Sequence, residues 1–147
     1  MKYNAVVKEI HPCGCTVEGD VLLDLNGLLF RCYYQMDEKY ALKYFVEDSI
    51  VAVDLWLRWG YAKKIDTEKR IMSKFPHVGR EEVLGQAEEI FNENEFRLKS
   101  EIDIDVELEQ ETTDDFAEGD YLLIQGTYQA YSFKGLYDRF SPLGKTS

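Results

Sequence analysis

Apolar and polar residues alternate along much of the chain, and the longest alternation lies between residues 45 and 64. One parity of this stretch is apolar and consists of Val51, Val53, Leu55, Leu57 and Trp59. Period-two spacing places these five side chains on one face of a long strand. The other face is mixed, because Asp54 and Arg58 flank Trp56. Such a half-buried strand is typical of an antiparallel sheet.

Shorter stretches with the same spacing predict a mainly antiparallel, all-β fold. Residues 3–10 predict a first strand that ends at His11-Pro12, because proline cannot donate to a ladder. Residues 15–18 predict a short second strand. Two apolar runs then flank Asn26-Gly27, and both of these residues accept the positive φ angles of a type I′ turn. We therefore expect a β-hairpin at residues 21–33.

Two more strands are predicted in the second half of the chain. In residues 101–111 the apolar positions are Ile102, Ile104, Val106 and Leu108. They alternate with acids that we expect to face solvent, partly neutralised by Arg97 and Lys99, namely Asp103, Asp105, Glu107 and Glu109. Residues 120–132 predict a final strand with Gly126 at a bend or bulge and an inward set of Leu122, Ile124, Tyr128 and Ala130.

Helical signals are few. Residues 35–42 allow a helical turn, and Asp66-Thr67 predicts the cap of one short connecting helix that carries Ile71, Met72 and Phe75. Residues 79–91 fit a helical stripe by periodicity. An internal sequence repeat, which we call the echo, favours a strand for residues 86–91 instead. The helix stays an alternative.

The echo consists of three blocks that occur twice in the same order. Residues 6–19 and 86–99 both pass through Glu-Ile into a polar turn. Alternating apolar residues follow at 21–25 and at 102–106, and residues 45–51 then resemble residues 116–122. This order indicates a duplicated β unit. We predict a first unit at 1–64, a connector at 65–81, a second unit at 82–133 and a tail at 134–147, all in one compact body.

The strand order resembles that of small OB-fold-like β-barrels. The residues that carry this resemblance are the two Glu-Ile strand openings, Glu9-Ile10 and Glu89-Ile90, and the stretch at 118–126. Such barrels commonly bind single-stranded nucleic acid, oligosaccharide or protein on an open sheet face. The resemblance implies a fold, and a fold alone does not give a function.

The charge is distributed unevenly along the chain. Residues 81–120 hold sixteen acids against Arg97 and Lys99, a local net charge of −14 within a total of −11. A block of this charge repels phosphate backbones. We therefore expect it to meet either a basic macromolecule or the chain's own cations at residues 58–80.

Two groups of residues are candidates for binding. The first mixes aromatic rings with cations, as proteins that grip single-stranded nucleic acid do, and consists of Trp56, Arg58, Tyr61, Lys63, Lys64 and Arg70. The second offers an imidazole and three thiolates, which is the ligand set of a structural zinc, and consists of His11, Cys13, Cys15 and Cys32. Because a single residue separates Cys13 from Cys15, which is closer than in most zinc sites, reduced thiols are the other interpretation.

No catalytic signature is present, since neither His11 nor His77 has a nucleophile motif around it. We nominate no catalytic residue and no cofactor, and we expect a cytoplasmic binding or interaction module with a protein partner. An OB-like binder of single-stranded nucleic acid is the first alternative. A metal-binding module or metal-dependent enzyme is the second. The chain shows neither a bilayer-spanning apolar run nor a secretory signal pattern.

Overall fold

The computed structural model describes residues 1–72, 81–110 and 112–132. This part of the chain is mainly β, as the sequence predicts, and its strands form one mixed sheet. The strands are β1 (Lys2–Pro12), β2 (Glu18–Leu25), β3 (Leu28–Gln35), β4 (Ile50–Lys64), β5 (Ile71–Met72), β6 (Glu81–Ile90), β7 (Glu95–Lys99), β8 (Asp103–Leu108) and β9 (Tyr121–Ser132). Helix α1 spans Glu38–Tyr44, and a short 3-10 helix spans Thr113–Asp115.

The described residues form two compact units. The N-terminal unit contains residues 2–55 and 129–132, and the C-terminal unit contains Met1 and residues 56–72, 81–110 and 112–128. Strands β4 and β9 each contribute one part to either unit. The boundaries predicted at residues 64 and 82 stay predictions.

In the N-terminal unit, β2 pairs antiparallel with β1 and with β3, and β1 also pairs antiparallel with the opening of β4. Tyr33 of β3 pairs in parallel with Gln129 of β9, so the sheet is not purely antiparallel. The hairpin predicted at Asn26-Gly27 is confirmed. Both turn residues have positive φ, 53° and 91°, and the Gly27 N–H donates to Asp24 Oδ1 at 2.7 Å.

Helix α1 lies where the sequence allows a helical turn. The Asp37 carboxylate caps it by accepting hydrogen bonds from the N–H groups of Lys39 and Tyr40. The connecting helix expected after Asp66 is wrong over residues 66–72. Ile71 and Met72 instead pair with β6, so a tertiary strand pairing overrides a local helical preference. Phe75 lies outside the described residues.

In the C-terminal unit, β6, β7 and β8 form an antiparallel ladder, β6 also pairs antiparallel with β9, and β8 pairs in parallel with β4. The strand predicted at residues 86–91 is confirmed over 86–90. The helical alternative is wrong for the described residues 81–90, because β6 has hydrogen-bonded partners on both sides. An apolar pattern this short does not distinguish a buried strand from a helix.

The β1–β2 and β6–β7 ladders correspond at four successive residue pairs. Each has a register shift at the same place, between Val7 and Glu9 in β1 and between Ala87 and Glu89 in β6. The Val7 N–H donates to Ser49 O and the Ala87 N–H donates to Asp120 O, both at 2.9 Å. By these registers Val21 and Leu23 of β2 occupy the places of Phe96 and Leu98 of β7, one strand before the residues 102–106 that they resemble in sequence.

The core side chains of β4 and β9 follow the predicted parity, with Trp59 as the exception. Val51, Val53, Leu55 and Leu57 are at most 9% exposed, and the inward set of β9 is buried as expected. Trp59 is half-buried instead, because it has a φ of 54° where the β4–β8 register shifts between Leu57 and Gly60. The irregularity exchanges the two faces beyond that point, as a β-bulge does. The short strand expected at residues 15–18 is also wrong, since β2 begins at Glu18.

Candidate functional site

All residues of the predicted ligand-binding set belong to the C-terminal unit. Trp56, Arg58 and Tyr61 are half-buried, whereas Lys63, Lys64 and Arg70 are exposed. The structure therefore places both aromatic members and all four cations within one unit. The contacts of each cation decide what it can offer to a ligand.

The side chain of Arg58 contacts acid and aromatic partners of its own unit. Its Nη2 lies 2.8 Å from Glu107 Oε1 on β8, and its guanidinium lies 5.2 Å from the centre of the Trp59 ring. Tyr61 donates its hydroxyl hydrogen to Glu109 Oε2 at 2.9 Å. The ion pair with Glu107 neutralises the charge of Arg58, which a nucleic-acid strand would need for its phosphates.

The exposed cations have weaker ionic contacts than Arg58. Lys64 Nζ lies 3.4 Å from Asp120 Oδ2, and Arg70 donates to Gln86 Oε1 at 2.8 Å. Among the described residues, Lys63 makes no ion pair. The pKa of Asp120 is held below its usual range, first by the hydrogen bond from the Ala117 N–H and then by Lys64. Part of the acidic block is therefore neutralised by the chain's own cations.

Asp105 corrects the expectation of a fully solvated acidic face on β8. Its side chain is only 9% exposed, and it accepts from Arg97 Nε at 2.9 Å and lies 2.8 Å from the Met1 amino nitrogen. The expected neutralisation by Arg97 is confirmed. Its hydrogen bond to Asp105 raises the pKa of the Arg97 guanidinium. Asp105 can be buried because two cations share its charge, since a buried charge needs a partner.

A further set of acids lies at one end of the C-terminal unit. We call it the acidic end, and it consists of the exposed residues Glu88, Glu89, Glu93, Asp114, Asp115 and Glu118. Hydrogen bonds hold its two segments together, from Thr113 N–H to Glu93 O at 2.8 Å and from Ile90 N–H to Glu118 Oε2 at 3.0 Å. Within the described ranges, none of the six carboxylates forms an ion pair within 4.0 Å. This end therefore presents concentrated negative charge to solvent.

The cysteines depart from the expectation of reduced thiols. Cys13 and Cys15 form a disulfide in the exposed loop between β1 and β2, whereas Cys32 keeps its thiol in the core. Of the proposed zinc ligands, the structure brings Cys13 and Cys15 together with Glu18, all within 4.8 Å. His11 and Cys32 do not belong to this group. Disulfide-bonded sulfurs are not thiolates, so in this state the pair does not offer the ligands that zinc prefers.

Sequence reasoning missed Glu18 as a neighbour of the cysteines and missed the acidic end as a surface distinct from β8. The signal for the first was its spacing of three residues from Cys15, which suits a tight loop. The signal for the second was the run of acids on both sides of the β6–β7 turn and in residues 114–118.

No protein-family model matches the chain, and no curated relative was found. Across the residues that the structure describes, no helix has the length and apolar character needed to cross a bilayer.

Proposed function

We propose that this protein is a binding module whose acidic end recognises a basic segment of another protein. The observation that carries the proposal is the set of six exposed carboxylates that stand without ion pairs in the described structure, while Asp105 and Glu107 of the same unit are paired. Surface charges of one sign repel one another and attract an oppositely charged partner.

An aromatic ring lies beside this charge. Phe91 is 41% exposed at the β6–β7 turn, with the Arg97 guanidinium 5.2 Å from the ring centre. Aromatic rings in a polar setting are common in protein interfaces, where they add apolar contact to electrostatic attraction. A partner with lysine or arginine around an apolar residue fits both features.

We further propose that each unit is OB-like and that the two arose by internal duplication. Support comes from the corresponding bulges of β1 and β6 and from the strand order. In each unit the first strand pairs with the second and the fourth, and the third pairs in parallel with a fifth segment. β9 supplies that fifth segment in the N-terminal unit, and β4 supplies it in the C-terminal unit. Five strands in a Greek-key order are the plan of OB-folds.

The charge of the sheet faces favours protein over nucleic acid as the partner. OB-folds bind oligonucleotides on the face of their second and third strands. On β7 and β8 this face has four acids and two cations, namely Glu95, Asp103, Asp105, Glu107, Arg97 and Lys99. On β2 and β3 it has three acids and one cation, namely Glu18, Asp20, Asp24 and Arg31. Both faces therefore carry a net charge of −2, which opposes a phosphate backbone.

The proposal is tested by binding of a fluorescent peptide rich in lysine and arginine. The variant Glu88→Gln, Glu93→Gln, Asp115→Asn removes three charges from the acidic end. We expect its affinity to fall about tenfold at low salt, because each exposed charge pair contributes up to about 1 kcal/mol. The difference should shrink as salt is added.

The matched control removes three charges elsewhere, with Glu47→Gln, Asp48→Asn and Glu68→Gln, all of them exposed residues. It should keep most of the wild-type affinity. An equal loss of affinity in both variants would mean that binding depends only on the net charge of the protein. That result would contradict a defined binding surface. A single-stranded oligonucleotide that binds more tightly than the peptide would favour the nucleic-acid alternative instead.

A further inference from the structure

The loop between β1 and β2 is built around the Cys13–Cys15 disulfide. One glycine separates the two cysteines, and both are exposed. Gly14 and Thr16 have φ angles of 85° and 72°, and the Cys13 N–H donates to Glu18 O at 3.1 Å. The loop therefore holds both sulfurs at the surface in a fixed backbone.

Such a disulfide contributes little to holding the fold. A cross-link stabilises a protein mainly by restricting the unfolded chain, and the effect grows with the number of residues in the closed loop. Here the loop contains a single intervening residue, while β1 and β2 are already joined by their own ladder from Val6 to Pro12. A role in the chemistry of the sulfurs accounts better for this bond, because exposed disulfides are the ones that exchange readily.

The two sulfurs are not equivalent. The Cys15 N–H points at Cys13 Sγ, with the nitrogen 3.0 Å away. A hydrogen bond to sulfur favours the thiolate and makes it a better leaving group. Cys15 Sγ lies 4.0 Å from Glu18 O, which accepts hydrogen bonds and so does not stabilise a thiolate. An incoming thiolate should therefore attack Cys15 and expel Cys13.

From these features we propose that Cys13–Cys15 is a thiol–disulfide exchange site whose substrates are external thiols. The thiolate of the substrate attacks Cys15 Sγ, a mixed disulfide forms, and Cys13 leaves as a thiolate that takes a proton from water. A second substrate thiolate then attacks the substrate sulfur of the mixed disulfide and expels Cys15. Two substrate thiols become one disulfide, and Cys13 and Cys15 become two thiols.

Glu18 slows the reaction of this site with anionic thiols. The Tyr33 hydroxyl donates to its carboxylate, and the carboxylate lies within 4.8 Å of both sulfurs. Its negative charge opposes the approach of an anionic thiol and the release of a thiolate. Replacing Glu18 with glutamine should speed reduction by glutathione, and the gain should shrink with salt.

The test incubates the whole folded protein in glutathione redox buffers, quenches with acid, alkylates the thiols and measures the mass. Cys13 and Cys15 should gain two labels together as the buffer becomes more reducing, while Cys32, fully buried, stays unlabelled. Peptide mapping should find the trapped glutathione on Cys15. A parallel arm with reduced thioredoxin distinguishes a protein dithiol from a small thiol as the better substrate.

A second measurement compares single-cysteine variants of the loop. Cys15→Ser keeps the N–H of residue 15, so Cys13 in that variant should react with iodoacetamide at lower pH than Cys15 does in Cys13→Ser. Reduction that needs denaturant would overturn the proposal, because the bond would then be structural. Glutathione trapped equally on both cysteines, together with equal pH profiles, would overturn the assigned direction of attack.

Discussion

The ladder of β1, β2 and β3 and the ladder of β6, β7 and β8 share one plan and differ in their surfaces. Both have the register shift after an equivalent residue, Val7 or Ala87. Leu23 faces Val7 and Leu98 faces Ala87, and both leucines are fully buried. The loop after the first strand is the disulfide loop in one ladder and a turn of the acidic end in the other.

This difference shows which parts of the plan the fold constrains. The interior repeats because a core must be filled to high density and a bulge must occur at a fixed place in the ladder. The loops and outward side chains are free to diverge, and they carry the features that we propose for function. Variants at equivalent positions of the two ladders show whether these positions respond alike.

The largest effect is expected from the matched core leucines. Leu23→Ala and Leu98→Ala should each lower the free energy of unfolding by about 2–5 kcal/mol, because each removes buried methyl groups and leaves a cavity. Urea unfolding of the two variants measures this. If one variant loses less than half a kcal/mol, the two ladders do not have equivalent cores.

A smaller effect is expected where the ladders differ in the core itself. Ala5 and Gly85 occupy equivalent positions, opposite Val51 and Leu122. A Cβ on Gly85 would lie 2.5 Å from Lys99 O and 2.8 Å from Leu98 Cγ. Gly85→Ala should therefore cost about 1–3 kcal/mol by overpacking.

The reciprocal variant Ala5→Gly serves as the control for this position. It should cost only about 0.5–1 kcal/mol, the usual penalty for glycine in a strand. Urea midpoints compare the two. A stabilised Gly85→Ala variant would show that the close approach at β7 is absent.

The turns also differ. Gly27 in the β2–β3 turn has a φ of 91°, whereas residues 100–102 in the β7–β8 turn have no positive φ. Gly27→Val should cost about 1–2 kcal/mol, since side chains with a branched Cβ avoid this region. Gly27→Asn should cost less, because asparagine tolerates it. Equal melting temperatures for the two variants would argue against the turn.

The smallest effect concerns Asp120, which accepts from the Ala117 N–H at 2.9 Å. Because its pKa is lower in the folded protein than its ordinary value of 3.8, its contribution to stability is present above that pH and is lost as the pH falls through the lowered pKa. Asp120→Asn should be slightly less stable than wild type at neutral pH and similar to it in acid. Thermal unfolding across pH measures this, and parallel curves would contradict it.

Much of the fold follows from local pattern. Alternation located β4, β8 and β9, and Asn-Gly located a hairpin, because these signals depend on residues close in sequence. The prediction of a connecting helix was wrong over residues 66–72, because Ile71 and Met72 pair with β6, which is distant in sequence. The prediction that Trp59 lies on the core face was wrong, because a bulge changes the parity of a strand.

The candidate sites were harder to predict from the sequence than the fold. Alternation placed Asp105 on a polar face, and its burial depends on Arg97 across the ladder and on the Met1 amino group, 104 residues away along the chain. The disulfide depends on a Cα–Cα distance of 5.4 Å, which spacing alone does not give. The sequence shows the concentration of acids in the acidic end. Only the hydrogen bonds between residues 92–93 and 113 show that its two segments lie together.

The most direct test of the central claim, that the two ladders share a plan while the acidic end alone binds a basic partner, is an amide chemical-shift titration with the lysine- and arginine-rich peptide. We expect signals of residues 88–94 and 113–118 to shift with a salt-dependent affinity, while the corresponding residues 8–12 and 42–47 of the N-terminal unit stay in place. Equal shifts in both units, or shifts confined to the N-terminal unit, would contradict the account.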